Sequence, residues 1–549
     1  MPEEREDVET KSSGSPEVYQ QTKFMAWFEK AFPWLLVSGA ALGLTLMIFL
    51  PVIFFQEKTA EQLLAQSNLR LALLYTTGGA IAALGLLETY RKNTNDRTKA
   101  NADINAALKN QEHQTKVLKE QIRQFDENAF KERKAERRER YTKAVEQLGD
   151  EKAPIRMGGV YTLVGLVDEW LEEKSLSDDE RFKEGQVIIN NLCAYIRSPF
   201  TLASHYDELS QDSPTPEGIY KDKKEEFYID KAILDSEADV RLSIIKEIHD
   251  RIQGPDKNTP GAWSDFEYDF SGSTFFYPID LTNSYYAKPI NFSDSIYQSR
   301  ADFSGSTYRD EAYFGGSTYQ GGADFSGSTY KDVADFGGST YQGRADFSRS
   351  TYQWAYFSDS TYQWAYFSDS TYKSWAYFTG STYQWANFSD STYKSWAYFS
   401  DSTYENETNF SGSIFYQETY FGEDGYSNSS SCFTNRAPQF YDKKKRKNTL
   451  FGSPNNDFTV DIDKGYPIDL DSKGIPLNCK FLTSEQKEYL EGKLQEIEKI
   501  NNKLFEVKDL AKKTEISEKL RSLNEELHKW RKEATIVKAE DVAAEDTES

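Results

Sequence analysis

Cysteine is scarce in this sequence of 549 residues. Its three cysteines, Cys193, Cys432 and Cys479, are odd in number and lie far apart along the chain. A disulfide framework needs an even set of cysteines, and a zinc site needs closely spaced ligands, so the sequence predicts neither. This usage agrees best with a reducing compartment.

Histidine and the motifs of catalysis are equally sparse. The four histidines stand alone on polar or helical stretches: His113, His205, His249 and His528. No glycine-rich phosphate loop follows a strand pattern, and no nucleophile motif occurs in the sequence. The sequence therefore predicts a protein that is not an enzyme, with no catalytic residues, no cofactor and no metal site.

Basic residues are too few to balance the acidic ones. The chain has 65 lysines and arginines against 88 aspartates and glutamates, which gives a net charge of −23. Proteins that bind nucleic acid neutralise its phosphates with lysine and arginine. Direct binding to nucleic acid is therefore not expected.

Long apolar runs occur only near the N-terminus, after an acidic segment at residues 1–33. The first run, "WLLVSGAALGLTLMIFLPVIFF" at 34–55, has no charge, and neither has the second, "LALLYTTGGAIAALGLL" at 71–87. About 20 apolar residues cross a bilayer as a helix, so both runs are predicted to be transmembrane helices. A signal peptide is the alternative for the first run, but no small-residue cleavage site follows it.

Basic residues beside the second run set the predicted orientation. Arg91 and Lys92 follow it directly, and a denser basic cluster lies at 131–140. Because basic residues favour the cytoplasmic side, both termini and the rest of the chain are predicted to be cytoplasmic, in a multi-pass membrane protein. Residues 88–140 are predicted to form a charged juxtamembrane helix, either a solvated stalk or a helix that pairs with a second copy.

Residues 141–253 have the apolar periodicity of a small helical domain, with Gly149 ending one helix and Pro154 opening the next. The segment "RYTKAVEQLGDEKAPIRMGGVYTLVGL", followed by "IINNLCAYIRSPF", closely resembles the helical segment of many bacterial membrane proteins that end in pentapeptide repeats. The resemblance covers roughly residues 68–430. It implies a bacterial inner-membrane protein with two transmembrane helices, a helical linker domain and a repeat domain that serves as a scaffold.

The segment 266–426 repeats in units of five residues. Aromatic residues follow one another at steps of five or six, and every step from Phe347 to Phe367 is five. Alanine stands two positions before most of the Phe anchors and serine two positions before the Tyr anchors, as in Ser350 and Tyr352. Since residues two apart in an extended segment face the same side, each unit points a small and a bulky side chain inward.

Units of this kind resemble pentapeptide repeats, whose family fold is a right-handed quadrilateral parallel β-helix with four units per coil. The predicted fold class is therefore a multidomain α plus all-β solenoid, with about seven to eight coils in the repeat domain. Stacked coils give backbone groups their partners and build continuous aromatic columns. Phe and Tyr should alternate between walls, and the steps of six should produce bulges after Tyr.

Outward positions of the repeat carry acidic and aromatic residues. Trp354, Trp375 and Trp396 are predicted on one edge, with Trp364 and Trp385 on the other. The candidate partner-binding edge comprises these five together with Tyr356, Tyr366, Tyr377 and Tyr398. Such aromatic ladders either pack on themselves or bind a partner, and the sequence leaves both alternatives open.

The C-terminal part has three predicted segments. Residues 427–483 read as a linker, and 484–534 as a helical hairpin or a short coiled coil, followed by a disordered acidic tail at 535–549. Homo-oligomerisation through 88–140 or 484–534 is one expectation.

The leading functional hypothesis is a membrane-anchored, non-catalytic scaffold that binds the bilayer through two helices and an unknown protein through its rod. The alternative is a DNA mimic, because some pentapeptide proteins associated with quinolone resistance resemble a duplex in charge and width and bind a topoisomerase. An acidic surface that only keeps the rod soluble is the simpler explanation of the charge.

Overall fold

The structure is a computed structural model that describes residues 23–54, 60–91, 97–256, 259–423, 427, 429–507 and 510–537. It divides into two compact units, Met1–Arg133 and Lys134–Ser549. Most of the predicted N-terminal segment, through residue 22, and the acidic tail from residue 538 lie outside the described residues.

The first unit contains helices α1 (Lys23–Phe54) and α2 (Ala60–Arg91) and the beginning of α3 (Arg97–Leu148). Within the described residues, one segment is long and apolar enough to cross a membrane, Val37–Phe54, with a mean hydropathy of 2.2. Helices α1 and α2 approach closely at Gly43, where an added Cβ would lie 2.5 Å from Cγ2 of Thr77.

The second predicted transmembrane helix is not identified as a membrane span. Residues 71–87 lie within α2, but the side chains of 84–87 are outside the described part. The run is also shorter than the roughly 20 residues that cross a bilayer, and Arg70 and Glu88 border it. A two-span, multi-pass topology is therefore not supported.

The second unit begins with a bundle of helices. Helix α3 ends at Leu148 beside Gly149, and α4 (Ala153–Leu171) has a proline in its first turn. They are followed by α5 (Asp178–Arg197), a 3₁₀ helix (Thr201–His205), α6 (Tyr206–Leu209) and α7 (Lys224–Ile252). Apolar side chains such as Leu163, Leu192 and Ile244 are fully buried between α4, α5 and α7.

Short β-strands follow the helices. The first fifteen are β1 (Tyr268–Asp269), β2 (Thr274–Phe275), β3 (Ile279–Asp280), β4 (Tyr285–Tyr286), β5 (Ile290–Asn291), β6 (Ile296–Tyr297), β7 (Ala301–Asp302), β8 (Thr307–Tyr308), β9 (Ala312–Tyr313), β10 (Thr318–Tyr319), β11 (Ala323–Asp324), β12 (Thr329–Asp335), β13 (Thr340–Asp346), β14 (Thr351–Tyr356) and β15 (Thr361–Tyr366). The others are β16 (Thr371–Tyr372), β17 (Ala376–Tyr377), β18 (Thr382–Asn387), β19 (Thr392–Tyr393), β20 (Ala397–Tyr398), β21 (Thr403–Tyr404), β22 (Thr408–Asn409), β23 (Ile414–Phe415), β24 (Thr419–Tyr420), β25 (Cys432–Phe433), β26 (Tyr441–Asp442), β27 (Lys447–Asn448), β28 (Leu450–Phe451) and β29 (Lys480–Phe481).

The strands form a parallel β-solenoid of about seven turns. Each strand pairs in parallel with the strand one turn along the chain, so Tyr308 pairs with Tyr330 and Tyr330 with Tyr352. Within the described residues the strands make a 15-stranded and a 12-stranded sheet, and β26 and β27 form a separate antiparallel pair. A single unit buries almost nothing, so the turns are stable only when stacked.

Four columns of aromatic rings fill the interior of the solenoid. The Phe columns are Phe270, Phe292, Phe314, Phe336, Phe357, Phe378, Phe399 and Phe421, and Phe303, Phe325, Phe347, Phe367, Phe388, Phe410 and Phe440. The Tyr columns are Tyr286, Tyr308, Tyr330, Tyr352, Tyr372 and Tyr393, and Tyr297, Tyr319, Tyr341, Tyr362, Tyr383 and Tyr404.

Ring geometry confirms the predicted interior. Phe336 stacks on Phe357 with centroids 5.0 Å apart and planes 3° from parallel. The two Phe columns meet edge to face, as Phe347 does with Phe357 at 5.0 Å. These rings are fully buried, and both arrangements are favourable for aromatic pairs.

The recurring serines connect adjacent turns by hydrogen bonds. The backbone N–H of Ser339 donates to Oγ of Ser360 at 3.1 Å, and that hydroxyl donates to the carbonyl of Phe336 at 3.3 Å. The same pattern recurs at successive serines through the repeat. A buried N–H costs free energy unless it has an acceptor, which accounts for serine two positions before each Tyr.

The turns explain the glycines and aspartates of the repeat. Two positions after each Phe of the two columns, from Phe270 to Phe410, the backbone has a positive φ, for example 67° at Gly338 and 56° at Asp359. Glycine adopts this conformation freely, and Asp and Asn tolerate it better than most residues. The extra residues in the steps of six are also located as predicted, because the strand register shifts after Tyr330 and after Tyr341.

The predicted linker at 427–483 differs from the structure. Strands β25, β28 and β29 lie within it and pair with the solenoid, so that Phe451 stacks on Phe415 at 5.4 Å. Long connections separate these strands, so the five-residue repeat is not visible in the sequence, although the strands occupy the next positions in the sheets. The parallel sheets therefore continue past residue 426.

Helices α8 (Ser484–Glu506) and α9 (Leu510–Ala534) pack on each other and on the solenoid. Leu490 and Leu494 belong to one cluster with Ile414 and Leu450 of the sheet. Arg531 of α9 is fully buried and contacts Thr392 and Asp369 of the solenoid. The apolar stripe that suggested an oligomer is thus covered within one chain.

Candidate functional site

The tryptophans of the repeat form two rows on the outside of the solenoid. All five have 37–41% of their surface exposed. Strand pairing places Ala355, Ala376 and Ala397 in register, so the tryptophans that precede them, Trp354, Trp375 and Trp396, follow one edge. Trp364 and Trp385 are paired directly on the other sheet. The tryptophans are thus divided between the two sheets.

Two of the tryptophan rings are stacked and cover part of one another's faces. Trp375 and Trp396 lie with centroids 5.8 Å apart and planes 2° from parallel. The exposed surface of this pair is therefore mostly ring edge, which offers apolar contact. Within the described residues, none of the five indole N–H groups donates a hydrogen bond, so these donors remain for solvent or a partner.

The outward tyrosines are less accessible than the sequence predicts. Tyr356, Tyr377 and Tyr398 stack at 5.1 and 5.0 Å, but Tyr377 and Tyr398 are only 9% and 4% exposed. Trp375 packs edge-on against Tyr377 at 6.3 Å, and Trp396 does the same to Tyr398. Parity places these rings outside the sheet, but their neighbours bury them. Tyr356 and Tyr366 remain half-buried.

Basic side chains lie near the tryptophans of both edges. Lys373 and Lys394 precede Trp375 and Trp396 by two positions, whereas Gln363 precedes Trp364 directly. Burial lowers the pKa of the Lys373 ammonium group, and the negative charge of Glu498 on α8 partly offsets this shift. Arg344 pairs in register with Trp364 on the other sheet, so both edges combine aromatic and basic side chains.

Some of the acidic residues are used within the solenoid itself. Asp302 Oδ1 accepts from the backbone N–H of Ser304 at 3.1 Å and from its hydroxyl at 2.7 Å. Asp346 is 4% exposed and forms an ion pair with Arg344 at 2.7 Å. Such carboxylates stabilise turns and contribute less to an external negative field than their number suggests.

The cysteines and the possible metal ligands of the described residues do not come together. No group of three or more His, Cys, Asp or Glu side chains there is placed to hold a metal ion. The three cysteines are buried separately, and burial raises the pKa of the Cys193 and Cys479 thiols to about 12. A thiol with such a pKa is a poor nucleophile near neutral pH.

No family model matches this chain, and comparisons with curated proteins and with solved structures likewise return no match. The resemblance to pentapeptide-repeat proteins therefore rests on the five-residue spacing and on the solenoid with its regular aromatic columns.

Proposed function

We propose that this protein is a non-catalytic scaffold of the pentapeptide-repeat type, held at a membrane, whose solenoid binds a protein partner. The observation that carries the proposal is the pair of exposed tryptophan rows on a rigid repetitive rod. Tryptophan is enriched among residues that dominate binding energy at protein interfaces. Monomeric proteins seldom expose contiguous apolar patches without such a use.

Finer features belong to the same proposal. Four aromatic columns agree with a quadrilateral coil, which the family has in right-handed form. The apolar segment Val37–Phe54 supports one membrane crossing, with the solenoid in the cytoplasm of a bacterial cell. Helices α8 and α9 would form an antiparallel hairpin that covers one wall of the solenoid.

The scaffold is favoured over the DNA mimic by the state of the acidic residues. A mimic of a duplex needs a regular array of exposed carboxylates to reproduce the spacing of phosphates. In the solenoid Asp346 is buried against Arg344, and Asp302 bonds to its own turn. Rows of tryptophan also interrupt the charged surface.

Copurification from detergent extracts tests this proposal. The full chain is compared with a variant carrying Trp354→Ala, Trp375→Ala and Trp396→Ala, and with a control carrying Thr361→Ala and Thr382→Ala on the other sheet. A specific partner should be recovered with the unaltered chain and the control and be lost from the tryptophan variant. Recovery of the same proteins with all three chains contradicts the proposal.

A further inference from the structure

A column of tyrosines on the outer surface of the solenoid is interrupted at one position. Tyr313 pairs with Asp335, and Asp335 pairs with Tyr356, after which the column continues with stacked tyrosines. An aspartate therefore stands where the column would otherwise have a ring. Because Asp is much shorter than Tyr, the two flanking rings enclose a recess.

The recess opens into a groove of about 580 Å³ with a floor of glycines. An added Cβ on Gly315 would lie 2.8 Å from the carbonyl oxygen of Gly337 and 3.3 Å from Oδ1 of Asp335. Any larger residue at Gly315 would crowd the carboxylate. The absence of side chains at these positions leaves Asp335 reachable from solvent.

The charge in this groove has one sign. Its lining includes Asp294, Asp335 and Asp359 and no lysine or arginine. Oδ1 of Asp335 accepts from the backbone N–H of Gly337 at 2.9 Å, and within the described residues Asp335 has no ion pair. Burial raises the pKa of the Asp335 carboxyl, as expected for a carboxylate without a nearby cation.

The opposite side of the solenoid contains the same pair with a cation bound to it. Asp346 pairs with Tyr366 one turn along the chain, and the guanidinium of Arg344 lies 2.7 Å from Asp346 and 4.5 Å from the centre of the Tyr366 ring. Arg344 stands two positions before its aspartate. The corresponding position before Asp335 is Val333, which has no charge.

We infer that the recess between Tyr313 and Tyr356 binds a guanidinium group, with the Asp335 carboxylate as its counter-ion and the two tyrosine rings on either side. Two strand spacings separate the rings by roughly 10 Å, so a cation midway lies about 5 Å from each ring centre, within the range of a cation–π contact. A planar guanidinium also matches a carboxylate better than an ammonium does. The inference goes beyond the proposed function, because it assigns a site for a small cationic group in a groove that none of the five tryptophans lines.

The inference is tested by measuring the binding of ethylguanidinium to the full chain in detergent. Ligand-observed NMR detects the binding, and ethylurea is the neutral control of the same shape. A dissociation constant on the order of 1 mM is expected for so small a ligand, and ethylurea should not bind. Peptides with one central arginine or one central lysine distinguish the sources of the group. Binding of the arginine peptide assigns the site to a protein side chain, and binding of ethylguanidinium alone assigns it to a small molecule.

Three variants locate the site. Asp335→Asn keeps an acceptor for the Gly337 N–H but removes the charge, and Val333→Arg supplies an internal guanidinium that would contact Asp335 as Arg344 contacts Asp346. Each should weaken ethylguanidinium binding at least tenfold. Arg344→Val should instead add a second, weaker site at Asp346 and Tyr366, which raises the amount bound.

The outcomes that overturn the inference are equally specific. Binding to Asp335→Asn and Val333→Arg within twofold of the unaltered chain would contradict it, as would equal binding of ethylurea. No binding of either guanidinium probe to the unaltered chain at 20 times the expected constant, roughly 20 mM, would also refute it. Thermal unfolding of each variant checks that the solenoid remains folded.

Discussion

Alkaline pH should unfold the solenoid in one steep step. The tyrosines of the two interior columns are fully buried, and burial raises the pKa of each phenol above its ordinary value. They are Tyr286, Tyr297, Tyr308, Tyr319, Tyr330, Tyr341, Tyr352, Tyr362, Tyr372, Tyr383, Tyr393 and Tyr404. In the folded protein these phenols keep their protons, whereas in the unfolded chain they ionise near pH 10.

The sign of the effect follows from this difference in pKa. An acid whose pKa is raised by folding costs nothing below its unfolded value and destabilises the fold progressively above it. At pH 11 each such phenol removes about 1.4 kcal/mol of stability, and the twelve together remove roughly 17 kcal/mol. That exceeds the 5–15 kcal/mol by which a typical domain is stable, so the transition should fall between about pH 10 and 11.

Two signals recorded together test this prediction. Tyrosinate absorbance reports ionisation, and near-ultraviolet circular dichroism reports the packed rings. The interior tyrosines should ionise together, in the same narrow pH interval in which the packing signal disappears. Gradual ionisation of all tyrosines near pH 10 with the packing signal intact would refute the reasoning.

Other substitutions test individual contacts. Phe357→Ala removes the ring that stacks on Phe336 and Phe378, and the free energy of unfolding measured in urea should fall by about 3–5 kcal/mol. Thr361→Ala, on the outside of the solenoid, should change it by no more than about 0.5 kcal/mol. Tyr393→Phe removes a buried hydroxyl that has no hydrogen-bond partner among the described residues, so stability at neutral pH should hold or rise by up to about 1 kcal/mol, and the alkaline midpoint should rise. Arg531→Ala should lower the stability by about 2 kcal/mol, because it leaves Asp369 without its buried partner, and it should speed proteolysis of α8 and α9. Arg521 is exposed, so Arg521→Ala should change neither the stability nor the proteolysis rate. Equal effects of the two substitutions would contradict this role of Arg531.

The interior of the solenoid could be predicted from the sequence because its rule is local. Residues two positions apart in an extended segment lie on the same face, so the spacing alone predicts that Ser350 and Tyr352 both point inward. The stack of Phe336 on Phe357 follows from the number of residues in a turn. Even the bulges after Tyr330 and Tyr341 follow from counting.

Features that depend on distant parts of the chain could not be predicted in this way. Leu450 continues a column that ended in sequence at Ile414, but a long connection hides the spacing. Tyr377 is outward by parity and yet buried, because exposure depends on neighbouring side chains from other turns. The recess at Asp335 is recognisable only when the residues one turn away on both sides are known.

The most direct test of the account asks whether the tryptophan edge contacts a partner in the cell. A photoreactive residue is introduced at Ser374, beside Trp375, in the full chain and in the variant with Trp354→Ala, Trp375→Ala and Trp396→Ala. The account predicts a discrete crosslinked species with the unaltered edge and its loss when the three rings are removed. The same crosslinks in both chains, or none in either, would contradict it.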